Sequence, residues 1–383
     1  MDEKPIRIAI ASGGTGGHVY PCLAVAEAIR QMVPDAKFLF IGARGKIDEQ
    51  IILDHGFEFD VIDISGFPRG RSCSALRGKF LTAFRLATLR PLSQAMRSLR
   101  RFRPHVIFGA GGYVSGPVIA AGWIMRIPRA ILEANAVPGL ANKLIWRLSN
   151  VVYIGLEPAT KFFRSGADVI VTGNPLRPGS RETGLKLMGE LGLEKDKLLI
   201  LAAGGSLGSE LINRTVAEML QMLSDNKDLS SRIQILHCVG KRFHDAYIEE
   251  HAALIDNLSF RYIALPFIAE LNSLYYVADI AICRGGAITL SELAAAGPAA
   301  IIVPWEGAAN NEQLANARSF EENGAAMVIE EKDLDGQTLY AMLMKLVTDD
   351  ARRAQLRARC ALLARPDAAR TIASYLISLG CRR

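Results

Sequence analysis

Ser12-Gly-Gly-Thr-Gly-Gly-His18 is the stretch that decides the fold, because it joins an apolar run to a helical pattern. Residues 7–11 read RIAIA, which is typical of a short buried strand. After the turn, Pro21 suits a first helical position, and apolar residues recur at helical spacing over 22–32. The order strand, glycine turn, helix predicts an α/β unit whose turn approaches an anion, usually a phosphate.

The chemistry of this first glycine turn (residues 13–17) has two interpretations. Histidine titrates near neutrality, so His18 at the mouth of the turn is a candidate for proton transfer. A tight turn followed by a surface histidine is the alternative, and the turn alone favours neither. The two named phosphate motifs do not fit, because Val19 replaces the third glycine of G-x-G-x-x-G and a G-K-[ST] ending is absent.

Composition and charge restrict the class of protein. The 383 residues suffice for two domains, and half of them are apolar. The first apolar run is too short for a signal peptide, and six scattered cysteines without C-x-x-C spacing predict buried thiols rather than disulfides or zinc ligands. Residues 1–176 hold 22 Lys and Arg against 13 Asp and Glu, whereas the remainder holds 23 against 26. This asymmetry predicts a polyanionic partner on one side only.

Two segments of the first half bear on membranes. Residues 75–102 mix apolar side chains with arginine and lysine and contain no acid, a pattern typical of helices on an anionic membrane surface. Pro91 is predicted to break or kink this helix. A solvated helix whose arginines pair with distant acids is the alternative. Residues 106–125 are uncharged over the length of a membrane span, but five glycines and Pro117 favour a strand, a second glycine turn (residues 109–116) and a helix.

The rest of the chain alternates short apolar runs with helical segments. In the first half, strands are predicted at residues 37–41, 59–64, 130–133, 151–153 and 168–172, and helices at 48–55 and 140–148. In the second half, strands are predicted at residues 198–203, 233–239, 260–264, 278–283 and 300–304, and helices at 209–223, 290–296, 312–323 and 350–379, the last broken near Pro366. Gly297 is predicted to terminate one helix, and the single D-x-D, Asp333-Leu-Asp335, to cap another.

The second half repeats the opening of the first. Residues 8–18 align with 199–209, which superimposes three glycines of the first turn on three of a third glycine turn (residues 204–208). The repeat predicts two doubly wound, mostly parallel sheets with the ligand in a cleft at their carboxyl ends. The turn-rich segment 172–180 is the predicted linker.

The third turn also supports a rival interpretation. Gly204-Gly-Ser-Leu-Gly208 matches the G-x-S-x-G nucleophile elbow of α/β-hydrolases, and His237, His244 and His251 follow in the order a triad requires. The same turn occurs at residues 13–17 with threonine in place of serine, which favours an anion-binding turn used twice.

Two further motifs remain open from spacing alone. Thr289-Leu-Ser-Glu292 has the spacing of a capping box with Thr289 as N-cap, which is the favoured interpretation. The alternative is a helix start that faces a diphosphate, with Glu292 accepting hydrogen bonds from ribose hydroxyls. Gln313 and Asn316 lie one turn apart and either bind sugar hydroxyls or decorate a surface.

Six motifs, in order along essentially the whole chain, resemble the MurG family of N-acetylglucosamine transferases. They are Gly13-Gly-Thr-Gly-Gly-His-Val-Tyr-Pro21, Gly111-Gly-Tyr-Val-Ser-Gly-Pro117, Gly173-Asn-Pro-Leu-Arg177, Gly204-Gly-Ser206, Cys283-Arg-Gly-Gly-Ala-Ile-Thr-Leu-Ser-Glu292 and Gln313-Leu-Ala-Asn-Ala317. The chain departs from the family where Leu132-Glu-Ala-Asn135 replaces His-Glu-Gln-Asn and where Leu207 replaces glutamine.

The resemblance implies the fold, substrates and location. It implies an α/β protein of the GT-B fold, with an acceptor- and membrane-facing domain at 1–176, a UDP-GlcNAc-binding domain at 177–365, and a C-terminal helix at 366–383 that packs back on the first domain. It implies inverting, metal- and cofactor-independent transfer of GlcNAc from UDP-GlcNAc to undecaprenyl-diphosphate-linked MurNAc-pentapeptide (lipid I), giving lipid II for peptidoglycan. The expected location is peripheral, on the anionic cytoplasmic face of the bacterial inner membrane, without nucleic acid.

The resemblance also implies roles for individual residues. His18 is the expected base for the acceptor 4-hydroxyl, with Glu133 second. The expected donor contacts are Thr15, Gly16, Gly17, Asn135, Arg177, Ser206, Ile268, Ala287, Ile288, Thr289, Leu290, Ser291, Glu292 and Gln313. The expected acceptor-diphosphate contacts are Gly111, Gly112, Tyr113, Ser115 and Gly116. The alternatives are a GT-B transferase with another lipid or small-molecule acceptor, and a non-catalytic nucleotide-sugar-binding protein, against which His18 and Glu133 argue.

Overall fold

Two parallel sheets organise the chain. The computed structural model describes residues 5–13, 16–44, 47–64, 77–163, 167–205, 207–226, 229 and 231–381. Internal contacts divide the chain into an N-terminal unit, Met1–Arg177 with Pro366–Arg383, and a C-terminal unit, Pro178–Arg365. The division falls inside the turn-rich segment 172–180.

The N-terminal unit is a seven-stranded parallel sheet with helices on its faces. Its strands are β1 (Arg7–Ala11), β2 (Lys37–Ala43), β3 (Glu58–Ile62), β4 (Val106–Gly109), β5 (Arg129–Glu133), β6 (Val151–Ile154) and β7 (Asp168–Val171). Its α-helices are α1 (Gly16–Met32), α2 (Ile47–Asp54), α3 (Arg77–Phe102), α4 (Gly112–Ile124) and α5 (Leu140–Ile145). The strand order β3-β2-β1-β4-β5-β6-β7 makes β1 and β4 neighbours.

The C-terminal unit is a six-stranded parallel sheet of related order. Its strands are β8 (Leu198–Ala203), β9 (Ile233–Cys238), β10 (Arg261–Leu265), β11 (Ile280–Cys283), β12 (Ala299–Ile302) and β13 (Met327–Val328). Its helices are α6 (Arg181–Glu190), α7 (Glu210–Ser224), α8 (His244–Asp256), α9 (Leu271–Tyr275), α10 (Ala287–Ala296), α11 (Glu312–Glu322), α12 (Gly336–Val347) and α13 (Asp350–Leu362). The order is β10-β9-β8-β11-β12-β13.

Alternation along β1 shows why the sheet is covered on both faces. Ile8 and Ile10 pack into one apolar cluster with residues of α1, whereas Ala9 and Ala11 pack into another with residues of α3 and α4. A strand whose two faces are both buried requires a nearly continuous apolar sequence, as RIAIA provides. The last helix, α14 (Ala368–Cys381), contributes Ile372 to the first cluster and contacts α1.

The prediction for the segment 106–125 is confirmed, since it forms β4 and α4. No helix in the described parts of the chain is long and apolar enough to cross a membrane. Two predicted caps are also confirmed: Gly297 ends α10 with φ +80°, and the Asp335 side chain accepts a hydrogen bond from Thr338 N at 2.7 Å at the start of α12. Of the described cysteines, all are free thiols and only Cys381 is exposed.

The helix start predicted at Pro21 is wrong, and of the break or kink predicted at Pro91 the break is absent, while the kink stays a prediction. Helix α1 begins at Gly16 and contains Pro21, because the last glycines of the first turn take up helical backbone conformations. Helix α3 runs through Pro91 without a break, and the part that follows packs Ala95 and Leu99 into the core. Proline removes one backbone donor, and apolar packing downstream offsets that loss. Glycine and proline residues also predict a loop at 65–74, and this segment lies outside the described residues.

Candidate functional site

His18 lies in the first turn of α1, not in the loop before it. Its Nδ1 is 2.8 Å from the carbonyl oxygen of Ala110, which follows β4. A carbonyl only accepts hydrogen bonds, so Nδ1 carries the hydrogen and, in the neutral ring, Nε2 carries the lone pair. The contact therefore fixes both the ring orientation and the tautomer that a general base needs.

The second glycine turn packs directly on His18. Gly111 and Gly112 have φ angles of +84° and +73°, which L side chains rarely adopt. A Cβ atom on Gly112 would lie 2.5 Å from Gly13 O, and one on Gly111 would lie 3.3 Å from His18 Cε1. Because β1 and β4 are adjacent, the first and second turns form one site around the imidazole.

Among the residues predicted to bind the acceptor diphosphate, some offer backbone donors and others hold the turn in place. Gly111 is the N-cap of α4 without a side-chain cap, so backbone N–H groups are the donors presented there. Ser115 is fully buried and its hydroxyl donates to Gly111 O at 2.6 Å, so it holds the turn. Tyr113 packs partly on the core, whereas a Cβ on Gly116 would meet nothing within 4 Å.

The side chain of Glu133, at the end of β5, is hydrogen-bonded to the loop and helix that follow the strand. Its side chain is buried, Oε1 accepts from Asn135 N at 3.0 Å, and Oε2 accepts from Gly139 N at 3.1 Å and Asn142 Nδ2 at 2.8 Å. Burial raises the pKa of Glu133, and these N–H donors act in the opposite direction. The carboxylate therefore ties the end of β5 to the start of α5, and His18 is the better placed base.

Asn142 is a residue that the sequence analysis missed. It is buried, and its Nδ2 donates to Leu132 O at 2.9 Å as well as to Glu133. A Cβ on Gly111 would lie 3.5 Å from the same Nδ2. The one sequence signal was an amide two residues into a predicted apolar helix.

The remaining predicted residues of the N-terminal unit occupy different positions. Gly16 and Gly17 start α1, and Thr15 lies outside the described residues. The guanidinium of Arg177 lies 4.2 Å from the ring centroid of Tyr20. Its neighbour Asn174 donates from Nδ2 to Ala134 O at 3.1 Å, which holds the segment before Arg177 against the loop that carries Asn135.

The third glycine turn in the C-terminal unit is also tightly packed. Gly208 has φ +76°, and a Cβ there would clash with Val239 O and lie 2.9 Å from Gly240 Cα. Ser209 caps α7 by accepting from Ile212 N at 3.3 Å. Ser206 lies outside the described residues.

The capping-box prediction at Thr289 is wrong. Gly286 is the N-cap of α10 and provides no side-chain hydrogen bond, so Thr289 is the third residue of the helix and Glu292 the sixth. The two glycines before the helix allow it to start earlier than the spacing suggested. Ala287 and Leu290 are buried, so neither side chain is available to a ligand.

Other predicted residues of the C-terminal unit are held by local contacts. Ser291 donates from its hydroxyl to Ala287 O at 2.9 Å, and Ile288 is partly buried beside it. Gln313 Oε1 accepts from Trp305 N at 3.0 Å, whereas the buried Asn316 donates from Nδ2 to Gly285 O at 3.1 Å. Asn316 therefore packs α11 against the turn after β11, and the Gln313 amide group remains a donor.

Ile268 follows β10, beside Cys238 of the neighbouring strand β9. Burial raises the pKa of the Cys238 thiol, and the backbone N–H groups of Ile268 and Gly240 act in the opposite direction. The Ile268 N–H is thus directed to the sulfur at the carboxyl edge of this sheet.

His237, the first histidine in sequence after the third glycine turn, cannot serve the hydrolase interpretation. His237 is fully buried, with Nδ1 2.9 Å from Tyr262 OH and Nε2 3.1 Å from Asn213 Oδ1. Burial lowers the pKa of His237 to about 3. A neutral histidine with both nitrogens hydrogen-bonded in the core is not available to activate a serine.

Arg284, directly after β11, is a second residue that the sequence analysis missed. Its Nη1 pairs with Glu331 Oε1 at 2.6 Å and its Nη2 donates to Ser209 Oγ at 2.5 Å. The sequence signal was a single cation immediately after an apolar strand.

In the described residues no group of three or more His, Cys, Asp and Glu side chains could hold a metal ion.

Comparison with protein families assigns both halves of the chain. Residues 8–154 match the model of the glycosyltransferase family 28 N-terminal domain, and residues 199–372 match that of the glycosyltransferase family 28 C-terminal domain.

Relatives match over nearly the full length. The chain is 38% identical to the UDP-N-acetylglucosamine--N-acetylmuramyl-(pentapeptide) pyrophosphoryl-undecaprenol N-acetylglucosamine transferase of Caldanaerobacter subterraneus, covering 95% of this chain and 97% of that protein. It is 37% identical to the enzyme of the same name from Thermodesulfovibrio yellowstonii, covering 89% and 90%. Among solved structures, Acinetobacter baumannii MurG matches with a TM-score of 0.75 and 28% identity, covering 98% of this chain and 100% of that one.

Proposed function

The chain belongs to the MurG family of GT-B glycosyltransferases, and from that premise we propose that it transfers GlcNAc from UDP-GlcNAc to lipid I, forming lipid II in peptidoglycan synthesis. The observation that carries the catalytic assignment is the His18 imidazole, held by Ala110 O with its lone pair on Nε2 and enclosed by two glycine turns. An orientation fixed in this way is what a general base for a sugar hydroxyl requires.

The reaction follows from this geometry. The 4-hydroxyl oxygen of MurNAc attacks the anomeric carbon of GlcNAc from the face opposite UDP, the new C–O bond forms, and the bond to the diphosphate oxygen breaks. His18 Nε2 takes the hydroxyl proton, and UDP departs with the electron pair. The product is a β-1,4 link with inverted configuration at the anomeric carbon.

Stabilisation of the departing UDP is assigned to backbone groups and cations. The start of α10 presents N–H groups without a side-chain cap, and the third glycine turn is assigned to the same diphosphate. Such groups stabilise developing negative charge because they are already oriented towards it. Ser206 and Arg177 are the proposed side-chain contacts to the same diphosphate.

Recognition of the rest of the donor is assigned residue by residue. Glu292 accepts hydrogen bonds from ribose hydroxyls, the Ile268 backbone holds uracil, and Asn135 contacts the sugar. Gln313 donates to GlcNAc hydroxyls, which is consistent with its carbonyl oxygen being occupied by Trp305 N. Thr15, Gly16 and Gly17 complete the sugar site in this assignment.

The lipid diphosphate is assigned to the start of α4. The N–H groups after Gly111 lie beside His18, so an anion bound there would bring its attached sugar near the base. In this assignment the acceptor interacts through backbone donors, and Ser115 acts by holding the turn.

Membrane attachment is assigned to the N-terminal unit. Helix α4, which contacts α3 and α5, exposes Trp123 and Ile124, and α5 exposes Leu140 and Leu144 with Lys143 between them. Exposed apolar side chains next to cations favour binding to an anionic bilayer surface. We propose a peripheral location on the cytoplasmic face of the inner membrane.

The transferase assignment is tested by measuring UDP release from UDP-GlcNAc with and without a short-chain lipid I analogue, in EDTA. We expect release that depends on the acceptor and persists in EDTA. Release only with a different lipid or small-molecule acceptor would establish the alternative GT-B transferase, and donor binding without release under any acceptor would contradict the enzyme.

The membrane assignment is tested by vesicle flotation. Leu144→Glu should weaken binding to vesicles containing phosphatidylglycerol, because it places an acid in the proposed contact. Leu362→Glu is a matched control, since Leu144 is 67% and Leu362, in the C-terminal unit, 69% exposed. Equal binding by both variants and the wild type would contradict the assignment.

A further inference from the structure

The C-terminal unit buries an arginine at the carboxyl edge of its sheet. The Arg284 side chain is 11% exposed, and its partner Glu331 is 16% exposed. Besides the Glu331 pair, Arg284 Nη1 donates to Val303 O at 3.3 Å, and Nη2 donates to Ser209 Oγ. One planar guanidinium therefore joins segments that follow three different strands. These are the segments of Ser209 after β8, Val303 after β12 and Glu331 after β13.

The first of these segments is the third glycine turn. A Cβ on Gly204 would lie 2.5 Å from Ser209 N and 2.7 Å from Ser209 Cβ, so the start of the turn rests on Ser209. Ser209 Oγ accepts from both Ile212 N and Arg284, which uses its two lone pairs. The position of the turn thus depends on where Arg284 holds Ser209.

The second segment runs from Val303 to Gln313. Glu331 Oε2 accepts from Glu306 N at 3.0 Å, while Trp305 N is bound by Gln313 Oε1. Glu331 therefore connects the same guanidinium to the backbone that precedes the proposed sugar-binding residue.

We propose that Arg284 and Glu331 form a positioning pair that sets the diphosphate-binding turn and the sugar-binding segment in register with each other. The inference rests on the proposed function, because it assumes that these two segments receive the two halves of UDP-GlcNAc. A buried ion pair is costly to desolvate, so its retention is better explained by positioning than by stability. The fork of arginine can reach several acceptors at once, whereas lysine is a single point charge.

The test is calorimetric binding of uridine, UDP and UDP-GlcNAc to the wild type and to Arg284→Lys, without acceptor. We expect unchanged uridine affinity, about tenfold weaker UDP binding from the lost charge-assisted contact, and a larger loss for UDP-GlcNAc. Arg318→Lys is the control for loss of a guanidinium elsewhere in the same unit, because Arg318 pairs with Glu321 and Glu330 but its side chain is 42% exposed. It should leave all three affinities unchanged.

Two further variants keep the test decisive if Arg284→Lys fails to fold. Ser209→Ala removes the link to the turn together with the N-cap of α7, and it leaves the Arg284–Glu331 pair in place, so the affinities for UDP and UDP-GlcNAc should weaken by the same factor. Glu331→Gln removes the charge that orients Arg284, so UDP-GlcNAc should weaken more than UDP. Equal weakening of uridine, or no weakening of any ligand, would overturn the inference. A wild type that binds no UDP would instead overturn the proposed function on which it rests.

Discussion

The two units open with the same order of elements and use it for different chemistry. In each, a buried strand, β1 or β8, leads through a glycine turn into a helix, α1 or α7. The first turn is followed by His18, held by a neutral carbonyl, whereas the third is followed by Ser209, held by a buried guanidinium. We assign the third turn to the diphosphate of UDP and the first turn to the donor sugar. In this account the residue after each turn sets its chemistry: His18 accepts a proton, whereas Ser209 is held by the charged Arg284.

The strands beside these turns extend the comparison. β4 and β11 occupy the same place in their sheets, next to β1 and β8. Each leads into a helix whose N-cap is glycine without a side-chain hydrogen bond, Gly111 for α4 and Gly286 for α10. We interpret the pair as two diphosphate sites, one for the acceptor lipid and one for UDP.

The largest effect is expected from His18→Ala. Loss of a general base slows such reactions by about 10²–10⁴-fold, so kcat for acceptor-dependent UDP release should fall by about a thousandfold. The affinity for UDP should not change, because His18 is assigned to the acceptor hydroxyl and not to the nucleotide. Kinetics and calorimetry on the same preparation measure both quantities.

A second histidine provides the control for that substitution. His55 also has Nδ1 near a backbone carbonyl, Ile51 O at 2.7 Å, but it is exposed directly after α2. His55→Ala should keep wild-type turnover. Unchanged turnover in His18→Ala would remove it as the base and end the contrast between the two turns.

Gly208→Ala should damage the donor side. Its Cβ would clash with Val239 O at a φ of +76°, so the third turn must move. We expect about tenfold weaker UDP binding, the loss of roughly one charge-assisted hydrogen bond. Gly205 has a similar φ of +90°, but a Cβ atom there would meet nothing within 4 Å. The Gly205→Ala variant should therefore bind UDP much more tightly than the Gly208→Ala variant. Equal weakening in both variants would show that strain, not contact, is responsible.

Gly112→Ala should damage the acceptor side by the same mechanism. Its Cβ would lie 2.5 Å from Gly13 O, and the backbone strain adds about 1–2 kcal/mol to the loss of stability. Acceptor KM should rise severalfold while UDP affinity is retained. Gly56→Ala has the same φ of +73° with open space around it, so it isolates the strain. A loss of UDP affinity in Gly112→Ala would contradict the assignment of the two sites to separate units.

The smallest effect is expected on stability, from the titration of Glu133, which holds the loop between β5 and α5. Because burial raises the pKa of Glu133 above its ordinary value of 4.5, the folded state binds the proton more tightly than the unfolded state. The contribution of Glu133 to stability therefore falls as the pH rises above about 4.5, until the folded-state pKa is passed.

Chemical denaturation between pH 4.5 and 8 measures this effect. The free energy of unfolding of the wild type minus that of Glu133→Gln should decrease with rising pH, because glutamine does not titrate. Glu58→Gln, at an exposed position of β3, is the control. An increase with pH would mean that the N–H donors around the Glu133 carboxylate outweigh burial.

The sequence predicted the strands and glycine turns well, because both depend on local patterns. The apolar runs at 7–11 and 106–109 became β1 and β4, and the six motifs identified the family. Helix starts were less predictable, since glycines before Thr289 and Pro21 can adopt either turn or helical conformations.

Long-range partners were outside the reach of the sequence. The contacts of Arg284 with Glu331 and with Ser209 join residues that only the strand order brings together. No periodicity or spacing encodes them. His18 was found from its motif, but its partner Ala110 required the pairing of β1 with β4.

The most direct test of the division between the units is the affinity for UDP of His18→Ala and Arg284→Lys, titrated side by side with the wild type. The account predicts that His18→Ala binds UDP as the wild type does, although its turnover is lost, and that Arg284→Lys binds it about tenfold more weakly. Weakened binding in His18→Ala, or wild-type binding in Arg284→Lys, would contradict it.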